Sequence, residues 1–102
     1  MIDLNDLERI TGFDWDDGNA RKSDKHGVSS AEAEQVFFNA PLLLLEDVGH
    51  SQKETRVHAM GKTDAARGLH ITFTLRQSGT LIRIISARDL HRKERAIYDQ
   101  AN

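Results

Sequence analysis

The stretch Leu69-His70-Ile71-Thr72-Phe73-Thr74-Leu75 alternates apolar and polar residues without a break. A β-strand, whose successive side chains point to opposite faces, sorts such a run into one apolar row and one polar row. Leu69, Ile71, Phe73 and Leu75 are therefore expected to face a core, and His70, Thr72 and Thr74 to face away from it. Gln77-Ser78-Gly79 follows as a turn signal, with glycine available for a positive φ. Leu81 to Ala87 is the next strand, rich in β-branched residues and read as the central one, with Arg83 as its one charge. Upstream, Arg56 to Met60 alternates as well, and Leu42 to Leu45, bounded by Pro41 and Glu46-Asp47, has the length of a strand.

A sheet with one apolar face needs helices to cover it. Phe13-Asp14-Trp15 reads as a short strand, after which Asp16 or Asp17 caps a helix reaching Lys25 or His26, and Gly27 supplies a left-handed stop. Ser29-Ser30-Ala31-Glu32 has the Ser-x-x-Glu spacing of a capping box, in which hydroxyl and carboxylate satisfy each other's backbone donors. A second helix runs from Ser30 to about Phe38, with Ala33, Val36 and Phe37 on one face, and ends at Asn39 and Pro41. From Asp89 to about Ala101 the pattern is helical again, with Leu90, Ala96, Ile97 and Tyr98 near one face. The expected architecture is α+β: an antiparallel sheet with two N-terminal helices packed on one face and a C-terminal helix, the other sheet face being free to work. At 102 residues the chain reads as a single domain, residues 1–102, with residues 1–12 as an N-terminal extension.

Composition narrows the chemistry. The absence of cysteine removes disulfides, Cys-ligated zinc, iron–sulfur clusters and thiol nucleophiles, and it makes a cytoplasmic location the expectation. The longest apolar run is Pro41 to Leu45, and no signal peptide or membrane span fits. Five histidines, at spacings of 24, 8, 12 and 21, form no metal-ligand motif, and neither a Walker loop nor a Gly-x-Gly-x-x-Gly is present, so no cofactor is expected. The net charge of −2 conceals an asymmetry: residues 1–49 carry 4 Lys and Arg against 11 Asp and Glu, residues 50–102 carry 10 against 5. Nine of the 14 basic residues are Arg, whose planar fork suits bidentate contact with phosphate. A basic face for a polyanion is one reading of this pattern, and plain solvated surface charge is the other.

Two clusters carry candidate chemistry. His50-Ser51-Gln52-Lys53-Glu54-Thr55-Arg56 gathers acid–base groups and cations in a polar connection entering a strand. Phosphodiester cleavage needs those types, a group to take the 2′-OH proton, a group to protonate the leaving oxygen, and cations on the phosphorane charge. An ordinary hairpin connection would look the same. Arg83, Arg88, His91, Arg92 and Arg95 form the second cluster. Arg83 either pairs with an acid or faces the open side of the sheet, where an anion can sit, because an unsatisfied guanidinium in a strand is expensive. Arg92 and Arg95 lie on an exposed helix face or pair with Glu94 and Asp99.

Phe13-Asp14-Trp15-Asp16, Lys25-His26-Gly27-Val28-Ser29, His50-Ser51 with Glu54 and Arg56, Ile82-Arg83-Ile84-Ile85-Ser86-Ala87-Arg88, and Arg92-Lys93-Glu94-Arg95 with Tyr98 occur in this order. Together they resemble the BrnT toxins of bacterial type II toxin–antitoxin systems over about Phe13 to Tyr98. The resemblance implies a RelE-like fold and a metal-independent endoribonuclease that inhibits translation by cleaving RNA. It implies His50, Glu54, Arg56, Arg83 and Arg88 as catalytic residues, with Arg92 and Tyr98 binding RNA, to which the cation Lys53 of the first cluster is added as a further RNA contact. It also implies neutralisation by a BrnA-like antitoxin with a ribbon-helix-helix domain, a complex that represses its own operon and so touches DNA only through the antitoxin, and a chain that can homodimerise within that complex. Trp15, Phe37 and Phe38, near the acidic half, are expected to leave an apolar patch for the partner. A catalytically inactive module, serving as the co-repressor half of a DNA-bound complex, is the alternative function.

Overall fold

The computed structural model describes residues 2–47, 49 and 54–101. Strands β1 (Gly12–Phe13), β2 (Leu43–Glu46), β3 (Val57–Lys62), β4 (Gly68–Arg76) and β5 (Leu81–Asp89) form one sheet in the order β1-β5-β4-β3-β2. Strands β2 to β5 pair antiparallel in an up-and-down run, and β1 joins the edge of β5 in parallel through Gly12↔Leu81 and Phe13↔Ile82. Helices α1 (Asp17–Lys25) and α2 (Ser30–Gln35) precede the long strands, a 3-10 turn at Val36–Phe38 extends α2, and α3 (Arg92–Gln100) closes the chain. No helix among the described residues is long and apolar enough to cross a membrane.

The alternating run does what its pattern dictates. Leu69, Ile71 and Phe73 are fully buried and meet Val57 and Ala59 of β3, Ile82, Ile84 and Ala87 of β5, and Val28, Ala33 and Val36 from the α2 segment, with Leu75 packed against the group. Phe37 meets Phe73 edge-on at 5.1 Å between ring centroids. Gly61 lets the α2 segment come this close, since a Cβ there would lie 2.5 Å from Val36 Cγ1. The capping box at Ser29 and Glu32 is formed, Gly27 has φ +73, and α1 is capped by Asp16, whose carboxylate accepts from the Gly18 and Asn19 amides.

Several expectations are corrected. Regular pairing of the first strand stops at Phe13, and the central strand is β4, because β5 has only the two-residue β1 on its far side. Helix α1 lies along the β5 edge where β1 stops, rather than on the core face with α2: Asn19 Nδ2 donates to Ile84 O at 2.7 Å and to Asp14 O at 2.9 Å. Strand β5 runs on through Asp89, which pairs with Leu69, so α3 begins only at Arg92. In the β4–β5 turn, Gln77 and Ser78 join Gly79 in the left-handed region, with φ of +52, +55 and +87.

The polar face of the sheet is also less open than expected. Leu90, Glu94 and Tyr98, spaced by one helical turn, point α3 at it; Leu90 and Tyr98 bury Met60 with Leu43, while Ile97 is 55% exposed and Ala96 faces solvent. Glu94 receives both Arg88 terminal nitrogens at 2.8 and 3.0 Å, and the Tyr98 hydroxyl donates to Pro41 O at 2.6 Å. Just before β4, Arg67 joins three segments, donating to Gly27 O at 2.9 Å, Glu32 at 3.0 Å and both oxygens of Asp89 at 2.7 and 3.1 Å.

Two stability predictions follow from these contacts. Asn19 is 4% exposed and serves three backbone groups, accepting from the Asp16 amide as well as donating twice. Asn19→Ala should lower unfolding free energy in urea by about 3 kcal/mol, the scale for leaving buried backbone groups unsatisfied. Glu94 is held well below its ordinary 4.5, chiefly by the Arg88 guanidinium. A carboxylate with a depressed folded pKa contributes stability above its ordinary value and loses it as pH falls through the folded one. Glu94→Gln should therefore be about 2 kcal/mol less stable than wild type at neutral pH, with the difference shrinking in urea melts as pH falls below about 4.

Candidate active site on the polar face of the sheet

One extra residue in β5 decides what this face carries. Phe73 pairs with Ile84 and Thr72 with Ser86, so Ile85 has no partner on β4. Below this bulge Ile82 and Ile84 point to the core and Arg83 away from it; above it Ala87 points to the core, and Ser86 and Arg88 join Arg83 on the polar face. Two rows across the sheet are thereby set, His58↔Thr72↔Ser86 and Met60↔His70↔Arg88, with Thr74↔Arg83 in the row below. Successive rows on one face lie about 7 Å apart.

At the Arg83 end, a hollow of about 330 Å³ is lined by Arg56, Arg76, Arg83 and Lys22, together with Glu54, Gly18, Asn19 and Ile85. Arg83 both pairs with acids and faces this hollow: Nη2 meets Asp16 at 2.9 Å and Nη1 lies 3.5 Å from Asp14. The Asn19 amide and then Arg83 hold the Asp16 carboxyl below its ordinary value, so the acid is ionised and fixes the guanidinium. Arg76 Nη2 approaches Glu54 at 3.1 Å. A guanidinium has five donors, more than these acids use, and several cations around one hollow suit an anion with more than one oxygen.

Beyond the Arg83 row, polar side chains form a continuous line. Asp47, just after β2, lies 2.9 Å from His58 Nε2; His58 Nδ1 lies 2.9 Å from His70 Nε2 and 3.0 Å from Thr72 Oγ1; His70 Nδ1 lies 2.6 Å from Glu94. Burial pushes the His70 imidazolium down, against the opposing pull of the Glu94 contact. Among the described residues no three His, Asp or Glu side chains converge as a metal-binding set.

Of the residues expected at the site, Glu54, Arg56 and Arg83 come together at the hollow. His50 and Lys53 lie outside the described residues. Arg88 belongs to the other end of the face, occupied by Glu94 and His70, and Arg92 is exposed at the first turn of α3. Tyr98 is buried with its hydroxyl on Pro41, a placement that serves packing rather than a surface contact with RNA. Arg76, Lys22, Asp47, His58 and His70 were not singled out from sequence. Parity was the available signal for three of them, since Arg76 and His70 share the polar register of Thr72 and Thr74, and His58 sits between the inward Val57 and Ala59. Lys22 and Asp47 carry no such mark.

Among curated proteins, none matches the chain significantly. The sequence model of the family described as "Ribonuclease toxin, BrnT, of type II toxin-antitoxin system" matches residues 15–94, from the residue before the α1 cap to the glutamate that α3 sets against Arg88. That span holds every described residue of the cationic hollow and of the line from Asp47 to Glu94, and the chain belongs to the BrnT family of ribonuclease toxins.

Proposed function

We propose that the chain is a metal-independent endoribonuclease in which the hollow of Arg56, Arg76, Arg83 and Lys22 holds the scissile phosphate of an RNA strand. The convergence of these four cations beside Glu54 supports the reading. In this scheme the 2′-oxygen attacks phosphorus, its proton passes to one of Glu54 and His50, and the other protonates the departing 5′-oxygen, leaving a cyclic phosphate. The arginines stabilise the charge that grows on the phosphorane and are preorganised for it by Asp14, Asp16 and Glu54. Arg88 acts at a distance, by fixing Glu94 and α3.

As a type II toxin the chain has an antitoxin, and we place its docking on the far side from the cations. Leu4, Leu7, Phe37, Phe38 and Leu42 line a continuous apolar groove in which Phe38 is 78% exposed and Leu4 55%. Glu8 and Glu34 stand along it. Apolar floor and acidic rim fit an amphipathic segment with basic residues, as a BrnA-like ribbon-helix-helix antitoxin would present; DNA is then reached only through that partner.

Arg83→Ala should lower RNA cleavage by roughly a hundredfold, the scale of losing one preorganised stabiliser, while urea melts stay cooperative. Cleavage by wild type should persist in EDTA and weaken with salt at a slope near −0.7 per phosphate contact. Normal cleavage by Arg83→Ala, or activity abolished by EDTA and restored by magnesium, would overturn the scheme. Phe38→Asp should cleave RNA like wild type yet escape neutralisation by the cognate antitoxin; an unchanged affinity in calorimetry would move the docking surface elsewhere.

A further inference from the structure

The line from Asp47 to Glu94 contains a proton count. Three contacts of 2.9, 2.9 and 2.6 Å link four groups, Asp47, His58, His70 and Glu94, and each needs one proton between its partners. Two neutral imidazoles bring only two. One ring therefore holds both of its protons. The 2.6 Å contact places a proton on His70 Nδ1, facing Glu94, whose carboxylate is ionised beside Arg88. Arg88 Nη2 is 3.0 Å from both Glu94 Oε2 and His70 Nδ1, and its own proton goes to the carboxylate, the partner whose charge it neutralises. Burial and the Arg88 charge disfavour a second proton on His70. His58 is left as the ring with two, donating through Nε2 to Asp47 and through Nδ1 to His70 and Thr72.

Asp47 connects this line to the hollow. Its backbone amide donates to Arg56 O at 3.0 Å, so the carboxylate that His58 grips belongs to the residue that holds the Arg56 backbone. We propose that His58 is an imidazolium that positions Arg56 for RNA cleavage by holding Asp47, with His70 a neutral ring protonated at Nδ1 that joins His58 to Glu94. The positioning role rests on the reading of the arginine hollow as the cleavage site; the ring assignment does not. Among the described residues the charged and titratable groups around the pair are Asp47 just after β2, Arg88 on β5, Glu94 on α3 and its cap His91, the His91 amide donating to Glu94 at 2.8 Å.

The sign of the pH effect follows from the geometry. A proton lost from His58 would be the one on Nδ1, because its Nε2–H faces a carboxylate. Two lone pairs then oppose each other across the ring–ring contact, the Thr72 hydroxyl turns to donate to His58, and Asp47 faces a neutral donor in place of a cation.

Nitrogen-15 NMR of the ring nitrogens in the intact chain, from about pH 5 to about pH 8, tests the assignment directly. Both His58 nitrogens should be protonated at the acid end, any proton His58 loses should come from Nδ1, and His70 should carry one proton, on Nδ1. RNA cleavage by wild type, taken relative to His58→Gln, should fall where that proton is lost. His58→Gln should lower cleavage about tenfold at the acid end, within the cost of a small misplacement of a site residue, and its gap from wild type should close as the His58 proton is lost, the contributions of His50 and Glu54 being common to both chains. Two neutral rings at about pH 5 would overturn the assignment whatever the variant does, even should it fail to fold, and a wild-type to His58→Gln rate ratio that stays constant as the His58 proton is lost would overturn the positioning role. Normal cleavage by Arg83→Ala would refute the hollow, and with it the positioning role, while the ring spectra would still decide the assignment.

Discussion

Ile85, the residue of β5 without a partner on β4, decides which side chains share the polar face. Were the alternation unbroken, Ser86 and Arg88 would follow Ile82 and Ile84 into the core, and Ala87 would lie with Arg83 on the polar side. The inserted residue keeps the inner face apolar through Ala87 and lets Arg83 and Arg88, five positions apart, share the outer one. Burying Arg88 instead would remove a guanidinium from water without the Glu94 carboxylate that receives it. The register break is thus what makes the core and the charged face compatible in a single strand.

The polar face in turn is charge-balanced in two separate places. Arg83 is bracketed by Asp14 and Asp16, Arg76 by Glu54, and Arg88 by Glu94, so none of these cations is held at the sheet against an uncompensated field. Such pairing gives little net stability where the groups are half-exposed. What it fixes is geometry, because a guanidinium clamped by two acids cannot swing away from the space it lines. A phosphate held there as proposed would meet donors already oriented, at the cost of sharing them with carboxylates.

Much of the frame was legible in the sequence because hydrophobic parity is a local property. The core row of Leu69, Ile71 and Phe73, the capping box at Ser29 and Glu32, the left-handed Gly27 and the helix–strand order all stand as read. Nothing local marked the bulge, since Ile84 and Ile85 are equally apolar, and without it the positions of Ser86 and Arg88 could not be assigned by counting. The placement of α1 along a strand edge depends on one amide, Asn19, finding carbonyls 5 and 65 positions away. At the site, Arg83, Glu54 and Arg56 were readable from residue type, whereas Arg76, His58 and His70 required knowing which strands lie side by side. The buried face of α3 was misjudged for a related reason: Leu90, Glu94 and Tyr98 form the docking stripe, and its middle member is a charge that pairs with Arg88 instead of an apolar side chain.

The β1–β5 seam has a kinetic meaning. Strands β3, β4 and β5 close on one another through short turns, whereas Gly12 meets Leu81, and Arg83 meets Asp16, across 67 or more positions of chain. Contacts of that span carry the largest loop-closure cost in the molecule and are the natural last step of folding. The acids that orient Arg83 arrive with that step, as do Gly18, Asn19 and Lys22 on the wall of the hollow. A nascent or partly opened chain can therefore hold its meander intact while its cation cluster is still unassembled, so that order in the sheet and order at the hollow are acquired separately.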